Sequence, residues 1–266
     1  MSDLADELVL LARRVGLEAA ALVARGRPAG RVEVAATKSS PVDVVTTLDR
    51  ASEELVRARL LAARPDDAVV GEEGDDVAGT SGVEWVVDPI DGTVNFVYGI
   101  PAYAVSIAAR VDGEVVCGHV VNIATGEEWA AVHGGGAWRW DGEVRTPVRA
   151  PEPPPVDRML VGTGFSYLPE VRVRQAASVG RLLAHVRDVR RIGAAALDLC
   201  AVAEGRLDAY VEQGLNPWDH AAGGLVAQEA GLVVGGLDGP ADARLVVAVH
   251  PAASREYFAL IHACGF

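Results

Sequence analysis

Trp85-Val86-Val87-Asp88-Pro89-Ile90-Asp91-Gly92-Thr93-Val94-Asn95-Phe96 decides how this chain is read. Glu84 to Val87 is aromatic and β-branched apart from its first residue, the pattern of a buried strand. Pro89 and Asp91-Gly92 are turn formers, and the reading has them break the strand and turn the chain. Asp88 and Asp91 then stand at a strand's carboxyl end, where sheet proteins place their chemistry. Pro89 fixes one torsion, so the carboxylates are held at low entropic cost. Thr93 adds a hydroxyl beside them.

An Asp-Pro and an Asp-Gly between apolar runs also describe a plain turn. Other acids change the weight of the reading. Glu72 and Glu73 end the apolar run Val69-Val70-Gly71, and Asp219 follows Asn216-Pro217-Trp218 at the start of a helical run. Carboxylates about 4 Å apart repel by roughly 4 kcal/mol at an effective dielectric near 20. A convergent set therefore needs cations, and clustered oxygens on rigid turns suit hard ones such as magnesium.

Outward from that stretch, the pattern is of helices and strands. Leu4, Leu8, Leu11, Val15 and Leu22 predict a helix over 3–25, and 47–63 predicts a second with acids early and arginines late. An extended piece is expected near 32–36, a strand at 68–70, and a polar, Gly-rich loop at 73–82. Strands at 104–111, 114–122, 128–132 and 137–140, separated by Asp112-Gly113, Thr125-Gly126 and Gly134-Gly135-Gly136, form an antiparallel meander. Pro147, Pro151, Pro153, Pro154 and Pro155 then mark a boundary. It divides an α+β domain over 1–146 from an α/β domain over 156–266 that completes the site. The second part alternates strands at 159–162, 208–212 and 245–249 with helices at 170–183, 193–204, 219–230 and 254–263. That alternation predicts a sheet covered by helices on both faces.

Composition excludes several classes. The chain has 266 residues, half of them apolar, and a formal net charge of −13. That charge speaks against a nucleic-acid or anionic-membrane surface, though bound cations would still admit a phosphate. No apolar run is long enough to span a bilayer, and the acidic start Met1 to Glu7 is no secretory signal. The three cysteines, Cys117, Cys200 and Cys264, have neither zinc spacing nor a disulfide pattern, so a reducing cytoplasm and core packing are expected. Lys38 is the only lysine among many arginines, which hints at a place for a compact ammonium.

These motifs resemble the inositol monophosphatase family. Asp88 to Phe96 looks like its first signature and Trp218-Asp219-His220-Ala221-Ala222-Gly223-Gly224 like its second. Lys38 to Asp43 with Thr46 and Asp49, Gly71-Glu72-Glu73, and Gly162-Thr163-Gly164-Phe165 agree and occur in the family's order. The resemblance implies a mixed α/β fold, the layered αβαβα sandwich of the inositol monophosphatase and fructose bisphosphatase type. It also implies a magnesium-dependent, lithium-sensitive phosphomonoesterase working without a covalent phosphoenzyme. Carried over, Glu72, Asp88 and the Ile90 carbonyl hold an activating metal, and Asp88, Asp91 and Asp219 hold a second. A looser third ion near Glu72 makes two or three in all. Thr93, Glu72 and Asp49 position the attacking water.

The resemblance implies a substrate-binding set of Asp91, Gly92, Thr93, Gly193, Ala194, Ala195, Glu212 and Asp219, with Lys38 nearby. Gly92 and Thr93 offer backbone N–H groups at a tight turn, and the Gly193-Ala194 helix start favours an anion. By themselves, Asp219 reads as an N-cap and Gly193 to Ala195 as close helix packing. Ala194 replaces the family's usual Thr. Glu212 matches a position that contacts inositol hydroxyls, which favours a small polyol phosphate such as inositol-1-phosphate. Histidinol phosphate and fructose-1,6-bisphosphate stay open, as does a non-catalytic role in a bacterial RNA-processing or transcription complex. The family suggests a homodimer.

Overall fold

Residues 2–266 are described by the computed structural model. The chain opens with α1 (Ser2–Gly26), a hairpin of β1 (Ala36–Thr37) and β2 (Val44–Val45), and α2 (Thr47–Ala63). Strands β3 (Ala68–Gly71) and β4 (Val83–Asp91) follow, then the short helix α3 (Thr93–Tyr98). The predicted meander is present as β5 (Ala104–Val111), β6 (Glu114–Asn122), β7 (Glu128–Val132), β8 (Gly136–Asp141) and β9 (Val144–Val148). Beyond the prolines come β10 (Leu160–Thr163), α4 (Pro169–Leu182), β11 (Asp188–Arg190), α5 (Ala195–Ala203) and β12 (Ala209–Glu212). The chain ends with α6 (Pro217–Glu229), β13 (Val233–Gly235), β14 (Val246–Val249) and α7 (Pro251–Cys264).

The strands form a seven-stranded sheet in the order β3-β4-β5-β6-β7-β8-β9 and a five-stranded sheet in the order β11-β10-β12-β14-β13. Packing sets the layers. Leu8, Ala12 and Val15 of α1 and Val56 and Leu60 of α2 share a core with Trp85, Val87, Val105 and Ile107 on one face of the large sheet. On its other face, Val86, Ala104, Ala108 and Val120 meet Ala196 and Cys200 of α5 and Ala222 and Leu225 of α6. The same two helices press Leu199 and Ala227 onto Tyr210, Val246 and Ala248 of the small sheet. Val179 and Leu182 of α4 and Tyr257 and Ile261 of α7 cover that sheet's outer face. The order is helix, sheet, helix, sheet, helix: the expected αβαβα sandwich. Helices that follow the proline-rich connection thus complete the core of the sheet that precedes it.

Most elements lie where the sequence predicts them, and the departures have physical reasons. Pro89 does not break the strand. β4 runs through it to Asp91, with a register shift between Asp88 and Asp91. The extended piece near 32–36 shrinks to the start of a two-residue strand. Helix α3 and strands β2, β9, β11 and β13 lie outside the predicted elements. β9 contains Pro147 and lies at the sheet's edge, where a missing N–H leaves no ladder bond unmade. All three cysteines are buried and free.

Gly118 lets β6 lie close against α6. A Cβ placed there would lie 2.8 Å from Ala222 Cα and 3.0 Å from its carbonyl oxygen, both backbone and unable to swing away. Gly118→Ala should therefore destabilise the fold by about 1–3 kcal/mol, the usual cost of overpacking. Urea unfolding followed by circular dichroism checks this, and an unchanged midpoint would contradict the close packing of α6 on the large sheet.

Candidate active site

Strand alternation places the first acids. Val83, Trp85 and Val87 point toward α1 and α2, so Val86 and Asp88 point toward α6. Plain alternation would send Asp91 to the wrong face. The bulge corrects this, because Asp88 pairs with Ser106 while Asp91 pairs with Ala104, three steps on β4 against two on β5. Both carboxylates thus face the middle helical layer. Gly92 then turns the chain at φ 88°, a left-handed conformation that favours glycine, and α3 begins at Thr93.

Helix N-termini place the rest. Asp91 accepts hydrogen bonds from Ala195 N (3.2 Å) and Ala196 N (2.8 Å), the first turn of α5. Ala194 offers no side-chain cap, so a carboxylate from β4 supplies what the helix start lacks. Asp219 is not the N-cap of α6. Asn216 caps it, and Asp219 is the third residue, its Oδ2 accepting from Asn216 N at 2.6 Å. Asp49 holds the matching place in α2 and accepts from Thr46 N at 2.9 Å. Its other oxygen accepts from the Thr93 hydroxyl at 3.1 Å, and that hydroxyl also lies 3.0 Å from the Ile90 carbonyl. The N-termini of α2 and α6 carry Asp49 and Asp219, that of α5 holds Asp91 from β4, and α3 begins beside them. Their positive ends offset part of the acids' repulsion.

These residues surround one cleft of about 340 Å³, lined by Lys38, Glu72, Asp88, Ile90, Asp91, Gly92, Thr93, Gly193, Ala194, Ala195, Glu212 and Asp219 among others. Asp49 stands behind Thr93 rather than on the wall. Every site residue expected from the sequence therefore lies at one place.

The electrostatics are those of crowded acids. Burial, then the charges of Glu72, Asp91 and Asp219, push Asp88 well above the usual carboxylate range. Burial, then Asp91 and Glu72, do the same to Asp219. Asp91 is pushed up to about 7 by burial, against the pull of the α5 N–H groups and with the charges of Glu72 and Glu212 adding to it. Burial also raises Glu72, with Lys38 opposing. Among the described residues, no three His, Cys, Asp or Glu side chains are drawn into a ready-made metal cage. The donors nevertheless suit a hard cation: all are oxygens, the carboxylates are short of countercharge, and the cation that the protein itself sets on Glu72 is Lys38.

Sequence reasoning missed some members. Glu53 of α2, buried, accepts from Glu73 N and Gly74 N at 2.8 Å each and so shapes the turn that presents Glu72. Arg191 lines the cleft on the Glu212 side. Tyr210 donates its hydroxyl to Glu212, and burial pushes Glu212 up to about 7. Gly164 leaves space for that carboxylate: a Cβ there would lie 2.1 Å from it. Of these, only the glycine sits in a quoted motif. Glu53 resembles any helix acid until its burial is seen.

Comparison with known proteins agrees with this geometry. The sequence model of the inositol monophosphatase family matches residues 4–264, and the chain belongs to that family. The inositol-1-monophosphatase SuhB of Mycobacterium tuberculosis is 52% identical over 199 residues, covering 73% of this chain and 69% of that protein. A solved structure of Mycobacterium tuberculosis SuhB superposes with a TM-score of 0.84 at 43% identity, over 98% of this chain and 97% of the other. The Nus factor SuhB of Pasteurella multocida is 37% identical over 240 residues, covering 88% of this chain and 86% of that protein. The chain is accordingly an inositol monophosphatase-like phosphoric monoester hydrolase.

Proposed function

We propose that this enzyme hydrolyses the phosphate ester of a small polyol, inositol-1-phosphate foremost, with magnesium as cofactor and water as the attacking group. The observation that carries the reading is the convergence of Glu72, Asp88, Asp91 and Asp219 on one cleft at the starts of helices. Mycobacterial and rhizobial relatives named inositol-1-monophosphatase support the choice of ester.

Glu72, Asp88 and the Ile90 carbonyl would hold one ion, Asp88, Asp91 and Asp219 a second, and a looser third would sit near Glu72. Bound magnesium supplies positive charge to the phosphoryl oxygens and lowers the pKa of the attacking water. The chain's own groups do the rest. Thr93, braced by Asp49 and the Ile90 carbonyl, orients the water together with Glu72. Gly92 and Thr93 turn their N–H groups toward the phosphate at the head of α3. The N–H groups of Ala195 and Ala196 are taken by Asp91, so α5 acts on the substrate through that carboxylate more than directly. Glu212, held by Tyr210, faces the alcohol part of the substrate and accepts from its hydroxyls. Ala194 gives the substrate no hydroxyl where relatives often place one, leaving Glu212 the larger share of recognition.

Histidinol phosphate and fructose-1,6-bisphosphate are the competing esters. A relative named Nus factor SuhB supports a second reading, a non-catalytic role in a bacterial RNA-processing or transcription complex. A homodimer in reducing cytoplasm belongs to the same proposal, and the free, buried cysteines support that setting.

Phosphate release from these esters, with magnesium and with chelator, separates the readings. Inositol-1-phosphate should be the best substrate and chelator should stop turnover; release from none of the esters would favour the non-catalytic role. Asp88→Asn removes one charge from the shared ligand but keeps its shape. It should nearly abolish turnover while the far-UV spectrum stays native. A folded Asp88→Asn enzyme with near-normal magnesium-dependent rates would sink the two-ion assignment.

Glu212→Gln separates recognition from chemistry. Losing a charged hydrogen bond should lower catalytic efficiency toward inositol-1-phosphate by about 1–3 kcal/mol. An aryl phosphate, lacking those hydroxyls, should be cleaved almost as before. Equal losses on both substrates would make Glu212 a support of the metal site instead.

A further inference from the structure

Lys38, the chain's only lysine, stands just past β1, on the turn of the short hairpin. Its Nζ lies 2.8 Å from Glu72 Oε1 and also contacts Glu73. The turn is well secured. Lys38 N donates to the Asp43 carbonyl at 2.9 Å, and the Ser39 hydroxyl donates to Asp43 Oδ2 at 2.6 Å. The Ser40 hydroxyl reaches the Tyr167 carbonyl at 3.1 Å, tying the turn to the opposite wall of the cleft. Lys38 and Arg191 are the cationic side chains that line the cleft, and Lys38 is the one on Glu72.

We propose that Lys38 is a resident counter-ion that competes with a divalent cation for Glu72, so that binding of the cation releases the ammonium. The proposal rests on the reading of Glu72 as a metal ligand. A carboxylate oxygen engaged by an ammonium at hydrogen-bond distance is not free to coordinate with that lone pair. An ammonium and a divalent cation held on one carboxylate also repel each other. Burial opposes the Lys38 charge, but Glu72 and Glu73 together outweigh it, so the ammonium persists in the cation-free protein.

The residue type fits the task. A guanidinium would grip Glu72 through a planar fork and release it reluctantly, whereas an ammonium is compact, strongly hydrated and held at single points. That accounts for one lysine in a chain whose other long basic side chains are all arginine.

Thermodynamic linkage makes the competition reciprocal and measurable. Full-length protein stripped with chelator is titrated with magnesium by calorimetry, as wild type, Lys38→Met and Lys38→Arg. Lys38→Met should bind magnesium about fivefold or more tighter than wild type, and Lys38→Arg no tighter. In chelator, Lys38→Met should melt below wild type, because it leaves Glu72 and Glu73 without their countercharge, and magnesium should raise its melting temperature more. The unmodified protein gives an independent readout. Amine acylation of Lys38, followed by peptide mass spectrometry, should be slow in chelator and severalfold faster with magnesium. Magnesium binding at equal affinity in wild type and Lys38→Met, or acylation that magnesium leaves unchanged, overturns the counter-ion role while leaving the metal reading intact. Failure of magnesium to bind any of the three proteins overturns the metal reading and this inference with it.

Discussion

Two backbone N–H groups at the start of α5 hold the carboxylate of Asp91, 104 and 105 residues earlier in the chain. Much of the site depends on that bond pair. It fixes the end of β4 against the middle helical layer and gives α5 the cap its own sequence lacks. It also draws a buried carboxylate toward Asp88 and Asp219, where repulsion would otherwise drive it away. The fold therefore stores an arrangement of acids that no isolated segment would tolerate.

That arrangement explains why the molecule is layered as it is. Acids from β3's end, from β4 and from the α6 start come together only because α5 and α6 lie between the two sheets. The large sheet supplies the strand that carries Asp88 and Asp91. The small sheet supplies Glu212 at the end of β12, on the far side of the same cleft. Chemistry near the first sheet and recognition from the second is the division of labour this geometry favours. The ammonium of Lys38 and the N-termini of the surrounding helices balance part of the negative charge, and a divalent cation is suited to complete the balance.

Much of this was legible in the residues. The bounds of α2 and the meander follow from periodicity and turn residues, and the helix cover of the second sheet follows from the alternation after the prolines; the five-layer order came from the family resemblance. The acids were legible as a set because each stands at an element's end with a Gly or Pro within two residues. What escaped was what depends on partners. The run Asp88-Pro89-Ile90-Asp91 reads as a break, because Pro is a turn former; only pairing with β5 makes it a bulge that turns both acids to one face. Asp219 reads as a cap because Asn216 and Asp219 are both capping residues, and geometry alone assigns their places. Glu53, Tyr210 and Arg191 act through residues far away in sequence, and nothing local marks them.

The central claim is that Glu72, Asp88, Asp91 and Asp219, with the Ile90 carbonyl, form a site for divalent cations. The most direct measurement is anomalous diffraction from crystals of the full chain soaked in manganese, a redox-quiet stand-in for magnesium with a usable anomalous signal. The account predicts manganese peaks in the cleft, beside those carboxylates. Manganese bound only at surface acids, with the cleft free of anomalous density at saturating concentration, would contradict it.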